Sequence, residues 1–350
     1  MFRRGRCHMM GRFYPTAADF HAGEYDVAYL AAVLGVTVTT VGSLILIWLL
    51  DRFEKDPIWL LALVFLWGAV PAVVISLVAE VVFGIPLPYL LDAQVADVFM
   101  SAVVAPVVEE SAKALALLLV FVALRHHLDD ILDGIIYGAM VGVGFAWVED
   151  MFYLFGAAAE GGAAAMGFVF VLRVFAFGLN HAFFTALAGI GFGIAKVVRS
   201  CWLGGAAVLL FFGAAVGAHF FHNVLVSVGG DAGLAVSFLV HWGGVFGLLL
   251  VVVVVWFTEW RWIKRELREE VALGTIGERD YSQVSRWFGR LGWELRFLAA
   301  LEFGGFLRVR RMYNELVKLA FLKRSYGRRP AESTQRRIAE MRERIALCRR

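Results

Sequence analysis

Two adjacent carboxylates and a lysine, Glu109-Glu110-Ser111-Ala112-Lys113, stand near the middle of an apolar run over residues 98–124. An ionisable group at that depth in a bilayer costs about 3 kcal/mol even on lenient insertion scales, so such groups face a bundle interior or a wet cavity and mark a working site. On a helix Lys113 follows Glu110 by three residues and Glu109 by four, so it reaches either one. The two glutamates diverge by about 100° around the axis. The expectation is that Lys113 holds one and the other stays uncommitted. A structural ion pair is the plainer reading, and the doubled glutamate argues for chemistry over it.

Other apolar runs carry polar groups too. Phe145-Ala-Trp-Val-Glu149-Asp150 lies in one, Arg173, Asn180 and His181 in the next, His219, His222 and Asn223 in a third, and His241 in the last. Each has a plain alternative: Glu149 caps a helix or pairs with Arg173, His181 packs beside Asn180, and one of His219 and His222 is structural. His241, alone near the start of its run, reads as structural, and His126 and His127 as exposed turn residues. Counted from one common face of an alternating bundle, Glu109, Glu149, His181 and His219 lie at similar depths, roughly 10–21 Å at about 1.5 Å per residue. Two chemistries suit a Glu/His layer. A carboxylate can take a proton from water while histidine stabilises the oxyanion or leaving group. Alternatively Glu149, His181 and His219 hold a zinc ion that acidifies the water. There is no His-Glu-x-x-His, so any metal site is assembled across helices.

The elements that position these groups are helices in a membrane. Of 350 residues 60% are hydrophobic, and the mean hydropathy is +0.73, well above a soluble domain. Apolar runs at about 27–50, 58–79, 98–124, 131–156, 167–197, 204–228 and 234–257 predict seven spanning helices, the fifth long enough to be tilted or broken. Pro106 is placed to bend the third. Residues 81–96 and the Ala/Gly-rich 157–166 read as loops, and the glycines at 134, 138, 142, 189, 191 and 193 as close helix packing. Cys7, Cys201 and Cys348 are too scattered for a disulfide framework.

Charge divides the chain further. Residues 258–350 hold 22 Lys/Arg against 12 Asp/Glu, although the whole chain is only +3. A basic, helical segment beside a span reads as cytoplasmic and in touch with anionic lipid. No nucleic-acid-binding module is present in it. Apolar positions at 307, 309, 312, 316, 319 and 321 predict an amphipathic helix, and Ser333 or Thr334 is a candidate cap for a last one. Positive charge also flanks the turns at 51–57, 125–130 and 196–200, which puts the C-terminus in the cytoplasm. The organisation expected is therefore a tail over 1–26, a membrane core over 27–257 and a basic soluble region over 258–350. Arg3, Arg4, Arg6 and Arg12 oppose the outside N-terminus that this implies.

The ordered set Glu109-Glu110-x-x-Lys113, Phe145-x-x-x-Glu149, His181 and His219-x-x-x-Asn223 resembles the PrsW family of intramembrane proteases, related to the CAAX-protease and bacteriocin-processing (Abi) superfamily. So do Asp51-Arg52-Phe53-Glu54-Lys55-Asp56-Pro57 and His181-Ala-Phe-Phe-Thr185-Ala-Leu-Ala-Gly189. The resemblance covers about residues 45–257. It implies hydrolysis of a peptide bond in a single-pass membrane protein of the bacterial plasma membrane, with site-one cleavage of an anti-sigma factor as the inferred task. Carried over, Glu109 or Glu110 activates water, Glu149, His181 and His219 complete the site, and Asn223 orients or stabilises the oxyanion. Lys113, Phe145 and Arg173 support them. Asp150 departs from the pattern, where Asn is expected. Whether zinc is required stays open. Phe-x-x-x-Glu149 separates the chain from CAAX relatives, which carry histidine there. The rival readings are a CAAX-type or peptide-maturation protease, a proton- or ion-coupled transporter, and a catalytically silent scaffold. A transporter calls for inverted repeats and helices interrupted in paired positions, and neither is read here.

Overall fold

The computed structural model describes residues 22–53, 55–286, 296, 303–328, 330 and 332–348. The N-terminal tail, with its four arginines, lies almost wholly outside the described residues, as do Cys7 and Glu54. Every described element is a helix. We label them α1 (Ala22–Leu50), α2 (Ile58–Trp67), α3 (Val73–Gly84), α4 (Leu87–Leu90), α5 (Ala93–Phe99), α6 (Ala105–Ala123) and α7 (Ile131–Phe170). Then follow α8 (Asn180–Val197), α9 (Cys201–Val228), α10 (Gly230–Ala272), α11 (Glu278–Val284), α12 (Phe303–Arg328) and α13 (Glu332–Cys348).

Three π turns interrupt the long helices, at Gly68–Ala72, Met100–Val104 and Val171–Ala176. The first contains Pro71 and the second directly precedes Pro106. Proline lacks the N–H of a regular turn and its ring crowds the preceding carbonyl, so the helix widens there instead of closing. The bend expected at Pro106 thus takes the form of a π turn. The long fifth run is broken, by the third π turn and the short turn after it, before α8 begins at Asn180.

Both expected loops are mostly helical. In 81–96, α3 runs to Gly84, α4 follows, and Asp92 caps α5 by accepting from the Val95 N–H at 3.1 Å. In 157–166 the residues on either side of Gly162 are helical, because alanine is the best helix former, but the chain turns back between them, which lets Arg173 meet Glu149. The break falls at Gly162, whose φ of +69° only glycine adopts freely. Likewise α13 begins at Glu332, so Ser333 and Thr334 lie inside its first turn.

Five segments are long and apolar enough to cross a membrane: Val27–Leu50, Ile58–Gly84, Ile131–Val197, Cys201–Val228 and Gly230–Ala272. The expected span 98–124 is not among them, because α6 carries three charged side chains in 19 residues. The 67-residue segment folds back on itself. Gly134, Gly138 and Gly142 of α7 lie against Gly189, Thr185 and His181 of α8, a descending order that makes the two helices antiparallel. The glycines there serve close packing, as expected. The main core gathers Leu60, Leu117, Ile136, Tyr137, Val141 and Ala186 from α2, α6, α7 and α8.

At about 1.5 Å per residue, α10 is roughly 65 Å long, twice the hydrocarbon thickness. It runs unbroken across position 257 and its far end carries a second core. Trp262, Ile263 and Leu267 pack there with Leu316, Leu319 and Ile345 of α12 and α13, and with Phe53 from the first loop. The amphipathic face of α12 is therefore spent within the chain, although Leu307 stays exposed. Glu270, fully buried in this core, accepts from Arg342 Nε at 2.9 Å and Nη2 at 2.7 Å, and Lys323 Nζ lies 2.9 Å away. Removing one member of a buried charge cluster strands the rest. Glu270→Ala is expected to cost about 2–3 kcal/mol, discounted for the half-exposed Arg342. Hydrogen exchange should then rise over 303–348 and stay unchanged in α7 and α8.

Candidate active site

The site forms where α6, α7, α8 and α9 cross. Each helix contributes through a different local device. On α6 the i, i+3, i+4 spacing stacks Glu109 and Glu110 over Lys113. Trp67 locks this register by donating Nε1–H to the Ala112 carbonyl at 3.0 Å. On α7 and α8 the small-residue seam brings backbones together, and a Cβ added at Gly142 would lie 2.1 Å from the His181 carbonyl oxygen. That contact sets His181 beside α6. On α9, His219 stacks on Phe184 with ring centroids 4.8 Å apart.

Lys113 is the centre of the arrangement. Its Nζ lies 3.0 Å from Glu109 Oε2, 2.9 Å from Glu110 Oε1 and 2.9 Å from His181 Nδ1. It also sits 3.7 Å above the Phe145 ring. The expectation that one glutamate is uncommitted is corrected: both reach the same ammonium, because an i+3 and an i+4 partner converge on one long flexible side chain. The two are still unequal. Glu110 is fully buried, accepts from Thr185 Oγ1 at 3.0 Å and lies 3.2 Å from His219 Nδ1. Glu109 is 5% exposed and engages only through Oε2 among the described residues.

Around this centre lies a second charged group. Glu149 Oε2 stands 2.8 Å from His181 Nε2 and 2.5 Å from Arg173 Nη2. Arg173 Nε also donates to Asp150 Oδ1 at 3.0 Å, and its guanidinium lies over the Tyr153 ring at 3.7 Å. The predicted layer of Glu109, Glu149, His181 and His219 is therefore one contiguous network. Asn223 is not in it: its Nδ2 donates to the Ser101 carbonyl at 2.7 Å, fastening α9 to the π turn ahead of Pro106. His222 belongs to a neighbouring set, with Asn180 at 2.9 Å and Ser237 at 2.6 Å. His241 is buried among aromatic rings. Sequence reasoning missed the roles of Thr185 and Trp67. Thr185 stands four residues after His181, on the same helix face, and that spacing was a usable signal.

One ligand atom from each of Glu109, Glu110, His181 and His219 falls within a 4.8 Å group, all buried. The set differs from the expected Glu149, His181 and His219, since Glu149 is turned toward Arg173 and the far nitrogen of His181. Carboxylates and imidazoles are ordinary zinc donors. A carboxylate on the outer nitrogen of a metal-binding histidine is the usual orienting partner, and Glu149 on His181 Nε2 has that relation. Lys113 Nζ touches three of the four donors, so the donors already surround a cation. Glu109, Glu110, Glu149 and Asp150 face two permanent cations, Lys113 and Arg173. The residues fit a metal.

Fold and site together define a helical membrane protein with a buried carboxylate–imidazole–ammonium centre. The family profile described as PrsW family intramembrane metalloprotease matches residues 56–260, which contain every residue of that centre, and the chain belongs to this family. It is also similar to Protease PrsW of Clostridioides difficile (strain 630), 34% identical over 105 residues, 30% of this chain and 42% of that protein. The chain thus matches about two fifths of the length of this curated relative. No solved structure matches it.

Two substitutions test the geometry. Lys113→Met leaves two adjacent buried carboxylates without their cation and is expected to cost about 3–5 kcal/mol. Gly142→Ala must push α7 from α8 and is expected to cost about 1–3 kcal/mol. Thermal unfolding in detergent reads both, and a wild-type midpoint for Lys113→Met would refute the ammonium's central role.

Proposed function

We propose that this chain is a membrane-embedded endopeptidase that hydrolyses a peptide bond of a single-pass membrane protein, an anti-sigma factor being the favoured substrate. The observation that carries this reading is the convergence of Glu109, Glu110, His181 and His219, from three helices, on one buried cation position. A bundle that only needed to fold would avoid so costly a cluster.

Glu109 is the general base in this reading, since it alone of the pair keeps an oxygen uncommitted. It takes a proton from water as the hydroxide attacks the scissile carbonyl carbon. The carbonyl electron pair moves to oxygen, and the Lys113 ammonium offsets the charge that gathers there. When the tetrahedral centre collapses the C–N bond breaks, and the proton passes to the leaving amine, with His219 as the final donor through Nε2. Glu110 holds the Lys113 and His219 side chains in register. Glu149 fixes the His181 ring so that Nδ1 faces the centre, and Arg173 fixes Glu149. Zinc bound by Glu109, Glu110, His181 and His219 would supply an acidified water and polarise the carbonyl.

The reading includes about seven crossings, counting 98–124 and the two antiparallel parts of Ile131–Val197. Region 98–124 crosses because its charges are buried against neighbouring helices. The core over 27–257 lies in a bacterial plasma membrane, and the basic region over 258–350 lies in the cytoplasm.

Purified protein reconstituted with a panel of single-pass membrane proteins tests the activity. Glu109→Gln, His181→Ala and His219→Ala are each expected to lower cleavage at least about 100-fold. A zinc chelator is expected to abolish it, with restoration by added zinc. A panel left uncut by folded wild-type protein, together with an ion flux that Glu109→Gln removes, would replace the peptidase by a transporter.

A further inference from the structure

Beside the catalytic centre lies a cavity of about 460 Å³ between the π turn Val171–Ala176 and the start of α10. Leu172, Ala176, Phe177, Leu234 and Phe238 line it, and Asp231 is the one charged residue in its wall. Asp231 is exposed at the first turn of α10, and no cation is paired with it among the described residues. Trp242 donates Nε1–H to the Ala176 carbonyl at 3.1 Å and so ties the two walls together at one end.

Phe177 forms the inner wall. Its ring lies 4.9 Å from His222 and 5.9 Å from His241. Behind it stand polar atoms that the fold leaves unanswered. His241 is 2% exposed, and neither ring nitrogen has a hydrogen-bond partner among the described residues. Asn180 is 5% exposed and its Oδ1 is likewise unmatched, although Nδ2 meets His222. A neutral imidazole carries one donor and one acceptor, and an amide oxygen is an acceptor. Leaving such groups unmatched in an apolar interior is costly, so each calls for an explanation. Asn180 directly precedes His181, and Phe184 links His222 to His219, with ring centroids at 6.1 and 4.8 Å. Asn180 thus joins the inner wall of the cavity to the catalytic centre, and His241 stands behind the same Phe177 ring.

Resting on the peptidase reading, we propose that this cavity docks the substrate's membrane-spanning segment, and that Asn180 and His241 hydrogen-bond the backbone it frees on unwinding. A peptide bond inside a helix is shielded, so the segment must open before water reaches it. In hydrocarbon each freed N–H and C=O then needs a partner at once. An acceptor on Asn180 and a donor and acceptor on His241 provide such partners next to the cutting site. The apolar walls suit an apolar helix, and Asp231 selects one with Lys or Arg at the end it faces. Phe177 separates the two environments, so the segment passes it to reach His181.

Full-length protein carrying Glu109→Gln, reconstituted in phosphatidylcholine vesicles, tests docking without turnover. A photoreactive residue at Leu234 is compared with one at Leu209, which faces outward from α9. The probe is a synthetic helix of about 20 apolar residues with a central Gly-Ser pair and two lysines at one end. Leu234 is expected to label it about tenfold more than Leu209. Asp231→Asn, or a Glu pair in place of the lysines, should reduce labelling about threefold, as loss of a rim charge pair would. His241→Phe removes unmatched atoms and no hydrogen bond, so its thermal midpoint should hold or rise, whereas Asn180→Leu also loses the bond to His222 and its midpoint should fall. Both should lower labelling of the Gly-Ser probe and spare an all-leucine probe that does not unwind. Equal labelling at Leu234 and Leu209, or labelling of lipid alone, overturns the dock. Cleavage by wild type without enrichment at Leu234 refutes the dock and spares the peptidase. Enrichment without cleavage of any panel member does the reverse.

Discussion

Two glutamates side by side in an apolar bundle need a cation that meets both, and Lys113 does so from one turn further along the same helix. Much of the architecture follows from keeping that ammonium in place. Trp67 pins the α6 backbone, Phe145 covers the ammonium face, and the glycine seam lets α8 come close enough for His181 to touch it. Charge and close packing are thus the same constraint seen twice: a larger residue at Gly142 moves His181, and a displaced His181 leaves Lys113 with a poorer shell.

The site is layered by charge. Lys113 serves Glu109 and Glu110 at the centre, and Arg173 serves Glu149 and Asp150 outside it. The two layers meet at His181, whose ring nitrogens face opposite ways, one to each layer. Such an arrangement gives the imidazole a defined orientation without any covalent tie. Arg173 sits on a π turn beyond the reversal at Gly162, which brings its side chain back to Glu149. Helix irregularity and the geometry of the charged site are coupled there, and Asn223 fastens a second π turn, ahead of Pro106.

The second core addresses a different requirement. Helix α10 is too long for the bilayer alone, and its projecting end must bury its own apolar face. It does so against α12 and α13, with Glu270 clamped by Lys323 and Arg342. Phe53 enters the same core from the loop joining α1 and α2, so the far end of α10 is bound to the membrane bundle through side chains as well as through the helix itself.

The residues of the centre were legible from sequence because a charged side chain in a 20-residue apolar run is too costly to be incidental, and the similar depths of Glu109, Glu149, His181 and His219 follow from helix rise alone. The all-helical class and the close-packed glycines were legible for the same kind of reason: composition and spacing act locally. Which glutamate keeps an oxygen uncommitted, which cation serves which carboxylate, and the turning of Asn223 toward Ser101 were not, because each depends on what a neighbouring helix presents. The loops read at 81–96 and 157–166 are shorter than expected, because Pro and Gly mark breaks there while the surrounding residues stay helical. Alanine-rich flanks carry helix into 157–166 from both sides, and the reversal itself needs only Gly162. Asn180, His222 and His241 carried no motif. Only the crossing of three helices sets Asn180 against His222, and His241 against the Phe177 ring that His222 also meets.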